Sequence, residues 1–176
     1  MNHGKSVVYY WSQFMYTKKE GIMMNHILFI NGSPNKNGNT ASLAKTLLKG
    51  QSYDTLDLVD FKIYAYGQHF ADDQYQEVIR AISSHDVIVI GSPMYWHSMS
   101  GAIRNVLDRA YGVVSNGQFQ GKKLFFLFQG FQGAAPTQEQ LAAGEYTMNR
   151  FATMYGMEYQ GMASSKLEAE MLAAKL

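Results

Sequence analysis

From residue 26 onward the chain alternates short apolar runs with stretches of helical periodicity, the pattern of a parallel sheet with crossover helices. Ile27-Leu28-Phe29-Ile30 and Val87-Ile88-Val89-Ile90 are continuous apolar runs, which predict strands covered on both faces. Residues 122–128 predict a further strand of this kind. Residues 53–58 carry Asp54 and Asp57 between apolar positions and predict a strand nearer a sheet edge, and residues 158–162 predict the last strand. Between these runs, Thr40, Leu43, Ala44, Leu47 and Leu48 repeat at helical spacing, with Gly50 as the stop. Tyr75, Val78, Ile79 and Ile82 form a second amphipathic stripe, and Ile103, Val106, Leu107 and Ala110 a third. Asp73 with Gln76 and Thr137 with Gln140 both have the spacing of a capping box. The second box opens a helix running to Tyr155, with Leu141, Met148, Phe151 and Ala152 on one face and Gly144 weakening its middle. Residues 167–176 predict a closing helix.

Five strands and five helices in strict alternation leave few right-handed arrangements. The leading one is an α/β fold, a three-layer, doubly wound, five-stranded parallel sheet in the flavodoxin-like order 2-1-3-4-5. Residues 25–176 are expected to form this single domain, with residues 1–24 outside the alternation. That first stretch holds Tyr9, Tyr10, Trp11, Phe14 and Tyr16, and Met23 and Met24 stand directly before the first strand. It reads either as an upstream extension with no role or as an arm laying aromatic rings on a partner subunit or over a cleft.

Ligands of such sheets sit beyond the carboxyl ends of the strands, so candidate chemistry narrows to three loops. In the first, Gly32-Ser33-Pro34-Asn35-Lys36-Asn37-Gly38-Asn39-Thr40, a helix N-terminus offers free N–H groups to an anion, and Ser33, Asn39 and Thr40 add neutral donors. Five residues separate its glycines and Asn39 follows Gly38, so it is no Walker A loop, and Pro34 breaks the dinucleotide fingerprint G-x-G-x-x-G. A monophosphate held by backbone and hydroxyl groups fits better; an ordinary polar turn capped by Asn39 or Thr40 is the plainer alternative. The second loop, residues 91–101, places Pro93, Met94, Tyr95 and Trp96 where a strand should meet its ligand, one wall for a planar ring; the alternative is that they pack into the core or a dimer interface. Ser98 or Ser100 would cap the following helix. The third loop, residues 129–136, offers Gln129 as donor and acceptor and Gly130 for close backbone approach. Phosphate cradle, ring wall and rim contact together make a mononucleotide-shaped site.

Composition narrows the classes further. The chain of 176 residues has no cysteine, which excludes disulfide scaffolds, zinc ribbons, iron-sulfur clusters and thiol nucleophiles. A net charge of +1 with no long basic run argues against nucleic acid as a partner. No window reaches the apolar length of a membrane span and no export signal stands out, so a cytoplasmic location is expected. Aromatic residues make up 14% and methionines number eleven, more apolar surface than one modest core needs, which a cofactor cleft or subunit interface would absorb.

Ile30-Asn31-Gly32-Ser33-Pro34 with Gly38-Asn39-Thr40, and Gly91-Ser92-Pro93-Met94-Tyr95-Trp96 with Ser98-Met99-Ser100-Gly101 and Asp108-Arg109, resemble the NAD(P)H-dependent FMN reductases of the flavodoxin-like superfamily. The likeness spans about residues 25–165. It implies that Ser33, Asn39 and Thr40 hold the FMN phosphate, that the backbone around Asn35, Asn37 and Gly38 closes the cradle, that Pro93, Met94, Tyr95 and Trp96 border the isoalloxazine, and that Gln129 and Gly130 approach its rim. It implies FMN as cofactor, NADH or NADPH as co-substrate, a small-molecule electron acceptor, and a homodimer or tetramer. The iron-sulfur subgroup of this family is excluded by the absence of cysteine.

In that reading hydride passes from a nicotinamide to FMN and then to a quinone, flavin or similar acceptor, and the flavin carries the chemistry. No side-chain acid or base is strictly required. His97 is the one candidate catalytic residue, with a capping or interface role as its alternative. Lys36 either assists the phosphate or is an exposed loop lysine, and Asp108 and Arg109 are expected to make structural hydrogen bonds or an interface ion pair. A flavodoxin-type electron carrier without turnover is a rival, against which the net charge of +1 argues because such carriers are usually strongly acidic. A non-catalytic domain of the same fold is the other.

Overall fold

The computed structural model describes residues 25–130 and 135–176. Its elements run β1 (Ile27–Asn31), α1 (Asn39–Leu47), β2 (Asp54–Asp57), α2 (Tyr75–Ser83), β3 (Val87–Tyr95), β4 (Ser98–Met99), α3 (Gly101–Ala110), β5 (Lys123–Gln129), α4 (Gln138–Tyr155), β6 (Glu158–Ala163) and α5 (Lys166–Leu172). The parallel strands lie in the order β2-β1-β3-β5-β6, which is 2-1-3-4-5 once the two-residue β4 is set aside. The expected topology is therefore present.

Side chains alternate across each central strand and sort the core into two layers. Ile27, Phe29, Val87, Val89, Phe125 and Leu127 pack on one face with Leu43, Ala44 and Leu47 of α1 and Ala169 and Leu172 of α5. Leu28, Ile30, Ile88, Ile90, Leu124, Phe126 and Phe128 pack on the other with side chains of α2, α3 and α4. Gly144, which should weaken α4, is where that helix touches the sheet: a Cβ there would lie 2.7 Å from the Phe128 ring. Close packing explains the glycine.

Two expectations need correction. The sheet is not wholly parallel, because β3 continues past Gly91 to Tyr95 and folds back antiparallel on β4, pairing Met94 with Met99 and Tyr95 with Ser98. Its parallel partners end at Gly91 on the β1 side and Pro93 on the β5 side. Beyond them the strand pairs with its own return. The second correction concerns Asp73 and Gln76, which form no capping box. Asp73 accepts from the Tyr75 N–H at 2.8 Å, and Arg109 grips the same carboxylate through Nη1 at 2.5 Å and Nη2 at 3.2 Å. The Asp73 N–H donates to the Phe70 carbonyl at 3.2 Å rather than to Gln76, so the reciprocal half of the box is missing. The Thr137–Gln140 box, by contrast, is complete.

Arg109 also donates to the Tyr64 carbonyl at 3.1 Å and lies 4.6 Å from the Tyr75 ring centre, so it fastens the segment between β2 and α2 onto α3. Its guanidinium holds the Asp73 carboxyl below the ordinary carboxylate range. A depressed folded value means that the pair's stabilisation is complete above roughly pH 4 and is lost as pH falls through that value. Asp73→Asn keeps an acceptor for Tyr75 but loses the charge, and should cost about 1–3 kcal/mol at pH 7. Thermal unfolding of both proteins at pH 7 and pH 3 checks this: the difference in Tm should shrink at the lower pH.

Candidate functional site

The site begins with hydrogen bonds that join the first two loops at their roots. Gly32 N–H donates to the Gly91 carbonyl at 2.8 Å, and the Ser100 hydroxyl donates to the Gly32 carbonyl at 2.9 Å. The Ser100 N–H donates in turn to Ser92 Oγ at 2.8 Å. Asn31, fully buried at the end of β1, donates through Nδ2 to Asp57 at 2.8 Å and accepts the Ser33 N–H at 3.1 Å. From there the loop curls on its own side chains. Ser33 Oγ accepts from Asn35 N–H and Asn35 Oδ1 accepts from Asn37 N–H, each at 3.1 Å. Ser33 therefore keeps its hydroxyl hydrogen to give.

The loop ends at α1, where Gly38 is the N-cap and contributes no side-chain bond; Asn39 and Thr40 lie inside the helix and cap nothing. Among the described residues the first-turn N–H groups consequently have no side-chain acceptor, and no acidic residue stands in that turn. Helices α3, α4 and α5 are instead capped by Ser100, Thr137 and Ser165. Thr40 is 3% exposed, packed where a Cβ on Gly91 would lie 2.7 Å from its methyl group. Lys36 does not join this set, because its ammonium is bound to Asp60. What remains is a positive helix end with neutral donors, suited to a phosphate group.

The second loop is mostly strand and turn. Met94 and Met99 sit in the core, so Met94 has only its backbone to offer a ligand, whereas Pro93 is half-buried and Tyr95 exposed. Between Tyr95 and Ser98 the chain reverses through Trp96 and His97 with φ of 49° and 63°. Two positive values in a two-residue hairpin are the pattern of a type I′ turn, which ordinarily uses Asn-Gly. Bulky residues there cost about 1–3 kcal/mol each. The Trp96 ring is 96% exposed, so no packing against described residues repays that strain. Replacing Trp96-His97 with Asn-Gly should raise stability by about 1–3 kcal/mol in urea unfolding; an unchanged or lower midpoint would contradict a strained turn.

The third loop leaves β5 at Gln129, whose register partner on β3 is Pro93, so rim and ring wall are neighbours. Gln129 Oε1 is buried with no hydrogen-bond partner among the described residues, an acceptor whose orphaning costs about 1–3 kcal/mol unless a ligand donates to it. Gly130 follows, half-buried. The rest of this loop from 131 to 134 lies outside the described residues, as does the whole of the 1–24 extension.

His97 contacts Gln140, the capping-box residue of α4. Asp108 pairs with Arg104 one turn away at 2.9 Å, and Arg109 with Asp73, so both members of that motif are structural within the chain. Sequence reasoning missed the pinning role of Asn31 and the second roles of Ser92 and Ser100. The available signal was a polar residue ending an otherwise apolar strand. A hollow of about 370 Å³ lined by Tyr66, Leu107, Tyr111, Phe151, Met154 and Tyr155 lies at the C-terminal ends of α3 and α4, away from the three loops. Among the described residues no group of three or more His, Asp or Glu has a metal-binding arrangement, and no helix is long and apolar enough to cross a membrane.

Comparison with known proteins bears on the family and the fold. The model of a family described as NADPH-dependent FMN reductase matches residues 25–157. YwqN of Bacillus subtilis, assigned as an NAD(P)H-dependent FMN-containing oxidoreductase, is 29% identical over 91 residues, covering 47% of this chain and 50% of that protein. An iron-sulfur flavoprotein of Archaeoglobus fulgidus is 30% identical over 97 residues, covering 48% of each. The matched segment thus spans about half the length of these curated relatives. An FMN-dependent NADH-azoreductase from Bacillus anthracis, solved in complex with FMN, superposes with a TM-score of 0.60 at 14% identity, covering 86% of this chain and 95% of that one. At that identity the likeness bears on the fold alone.

Proposed function

The chain belongs to the NADPH-dependent FMN reductase family, and on that premise we propose that it is an FMN-dependent NAD(P)H oxidoreductase that passes hydride on to a small acceptor such as a quinone or a flavin. The observation that carries this reading is the complementary pair of unmet groups at one sheet edge: the uncapped, acid-free N-terminus of α1 and the buried acceptor Gln129 Oε1. The first suits a phosphate. The second suits the imide N–H of a flavin ring.

In this assignment Ser33, Asn39 and Thr40 donate to the FMN phosphate, and the backbone of Asn35, Asn37 and Gly38 closes the cradle. Pro93, the Met94 backbone, Tyr95 and Trp96 border the ring, with Gln129 and Gly130 at its rim. Bound there, FMN supplies hydride acceptance from the nicotinamide and donation to the acceptor. The protein's own work is to hold the phosphate on neutral donors, to keep the ring against the end of β3, and to leave the Trp96 side open. The Asn-Gly replacement described above should therefore lower turnover while raising stability.

Anaerobic titration of the FMN-loaded protein with NADH and with NADPH, followed by excess quinone under multiple turnover, tests the assignment. Bleaching of the flavin by a nicotinamide and sustained consumption with the quinone support an enzyme. Bleaching without turnover would mark a flavodoxin-type carrier, and failure to take up FMN a non-catalytic domain. The same reading includes a cytoplasmic location and residues 25–176 as the FMN-binding domain. It also includes a homodimer, which the exposed Tyr66, Tyr111, Val113 and Met154 support and which sedimentation equilibrium checks.

A further inference from the structure

We infer that Gln140 is a positioning residue of the cleft: it fixes the tautomer of His97 and, through it, clamps the strained Trp96-His97 turn. The chain of reasoning starts from a backbone group. The Thr137 N–H can only donate, and it donates to Gln140 Oε1 at 2.8 Å. That fixes the orientation of the amide, since its oxygen must face Thr137 and its NH₂ must face the other way. The NH₂ meets His97 Nδ1. An amide NH₂ only donates, so Nδ1 must accept, and the ring proton belongs on Nε2. One backbone N–H thus dictates which nitrogen of a histidine 40 positions away carries hydrogen.

Three observations make this more than a cap. His97 and Trp96 both hold positive φ, a conformation that persists where surrounding structure enforces it. The hairpin extends the strand whose end pairs with Gln129, so the clamp stands beside the ring wall. His97 is exposed, so its Nε2–H is open to solvent as a donor. That donor suits a carbonyl oxygen of the electron acceptor, which makes quinones the favoured class. Only this last step rests on the FMN-site reading; the tautomer and the clamped turn do not.

Two variants separate the clamp from helix capping. Gln140→Glu keeps an oxygen for the Thr137 N–H, so the cap survives, but turns a second oxygen toward His97 and demands a proton on Nδ1. Thr137→Ala removes the hydroxyl half of the cap while leaving the Thr137 backbone donor, and so the amide orientation, in place. Imidazole ¹⁵N spectra of the full-length apoprotein, assigned with His97→Gln, should show His97 protonated at Nε2 in the wild type and in T137A, and at Nδ1 in Q140E. In a Trp11→Phe background, which leaves Trp96 as the sole tryptophan, Gln140→Ala should enlarge the fast component of the anisotropy decay. With FMN bound, Q140E should raise KM for a quinone by about tenfold, with a smaller change in kcat. An Nδ1–H ring in the wild type, an unchanged ring in Q140E, a reversed ring in T137A, or unchanged Trp96 motion in Q140A would overturn the clamp. A flipped tautomer with unchanged KM would overturn the donor role. Failure of the wild type to bind FMN would instead remove the proposed function and leave the ¹⁵N and anisotropy results standing.

Discussion

Gly32→Ala should destabilise the protein by about 3 kcal/mol and weaken FMN binding by at least tenfold. The new Cβ would stand 2.3 Å from Ile103 Cγ1 and 3.0 Å from the Gly91 carbonyl oxygen. Ile103 is fully buried in the first turns of α3 and has nowhere to retreat. Relief must come from moving α3 away from the root of the first loop. That movement strains the bonds from Gly32 to Gly91 and from Ser100 to Gly32, which hold the phosphate loop against the end of β3. Stability and affinity should fall together, measured by urea unfolding and by titration of FMN fluorescence. Gly101→Ala is the matched control, because its Cβ meets nothing within 4 Å and the position opens a helix; it should leave stability unchanged or raised by up to about 1 kcal/mol.

Thr40→Val should separate the two effects, lowering FMN affinity by roughly 10- to 100-fold with little change in folding. Valine reproduces the shape of this buried residue and keeps the methyl group that packs beside Gly91. What disappears is a hydroxyl that makes no hydrogen bond among the described residues, so the folded protein loses no internal contact. A hydrogen bond to an ionised partner contributes about 1.5–3 kcal/mol, which gives the stated range. Thr40→Ser, which keeps the hydroxyl, should retain most of the affinity. A Val variant that binds FMN like the wild type would remove Thr40 from the phosphate set.

The architecture was legible because it rests on burial. Val87 to Ile90 and Lys122 to Phe128 read as strands within the sheet, and strict alternation with helices then admits few sheet orders. The loops were legible as places, because this topology brings strand ends to one edge. Their internal wiring was not. Nothing in the spelling of Asn31 distinguishes a solvated strand end from a buried side chain with two partners, and nothing near Asp73 announces that its carboxylate is gripped by Arg109, 36 positions away. The hairpin after Gly91 was hidden for a similar reason: Trp-His is a poor sequence for a tight turn, and only the coordinates reveal the positive φ values. Gln140 looked like a cap and is one, yet its amide has a second end. Apart from the hairpin, each miss involves a polar group whose partner is set by contact rather than by periodicity.

The central claim is that three separated loops meet to hold one ligand by an anionic tail and a planar ring. Parallel calorimetric titrations of the purified protein with FMN and with riboflavin, which lacks the phosphate, test it most directly. The account predicts one FMN per chain, bound about a hundredfold or more tightly than riboflavin, as expected of several hydrogen bonds to a charged group. Equal affinity for the two, or no saturable binding of either, would contradict it.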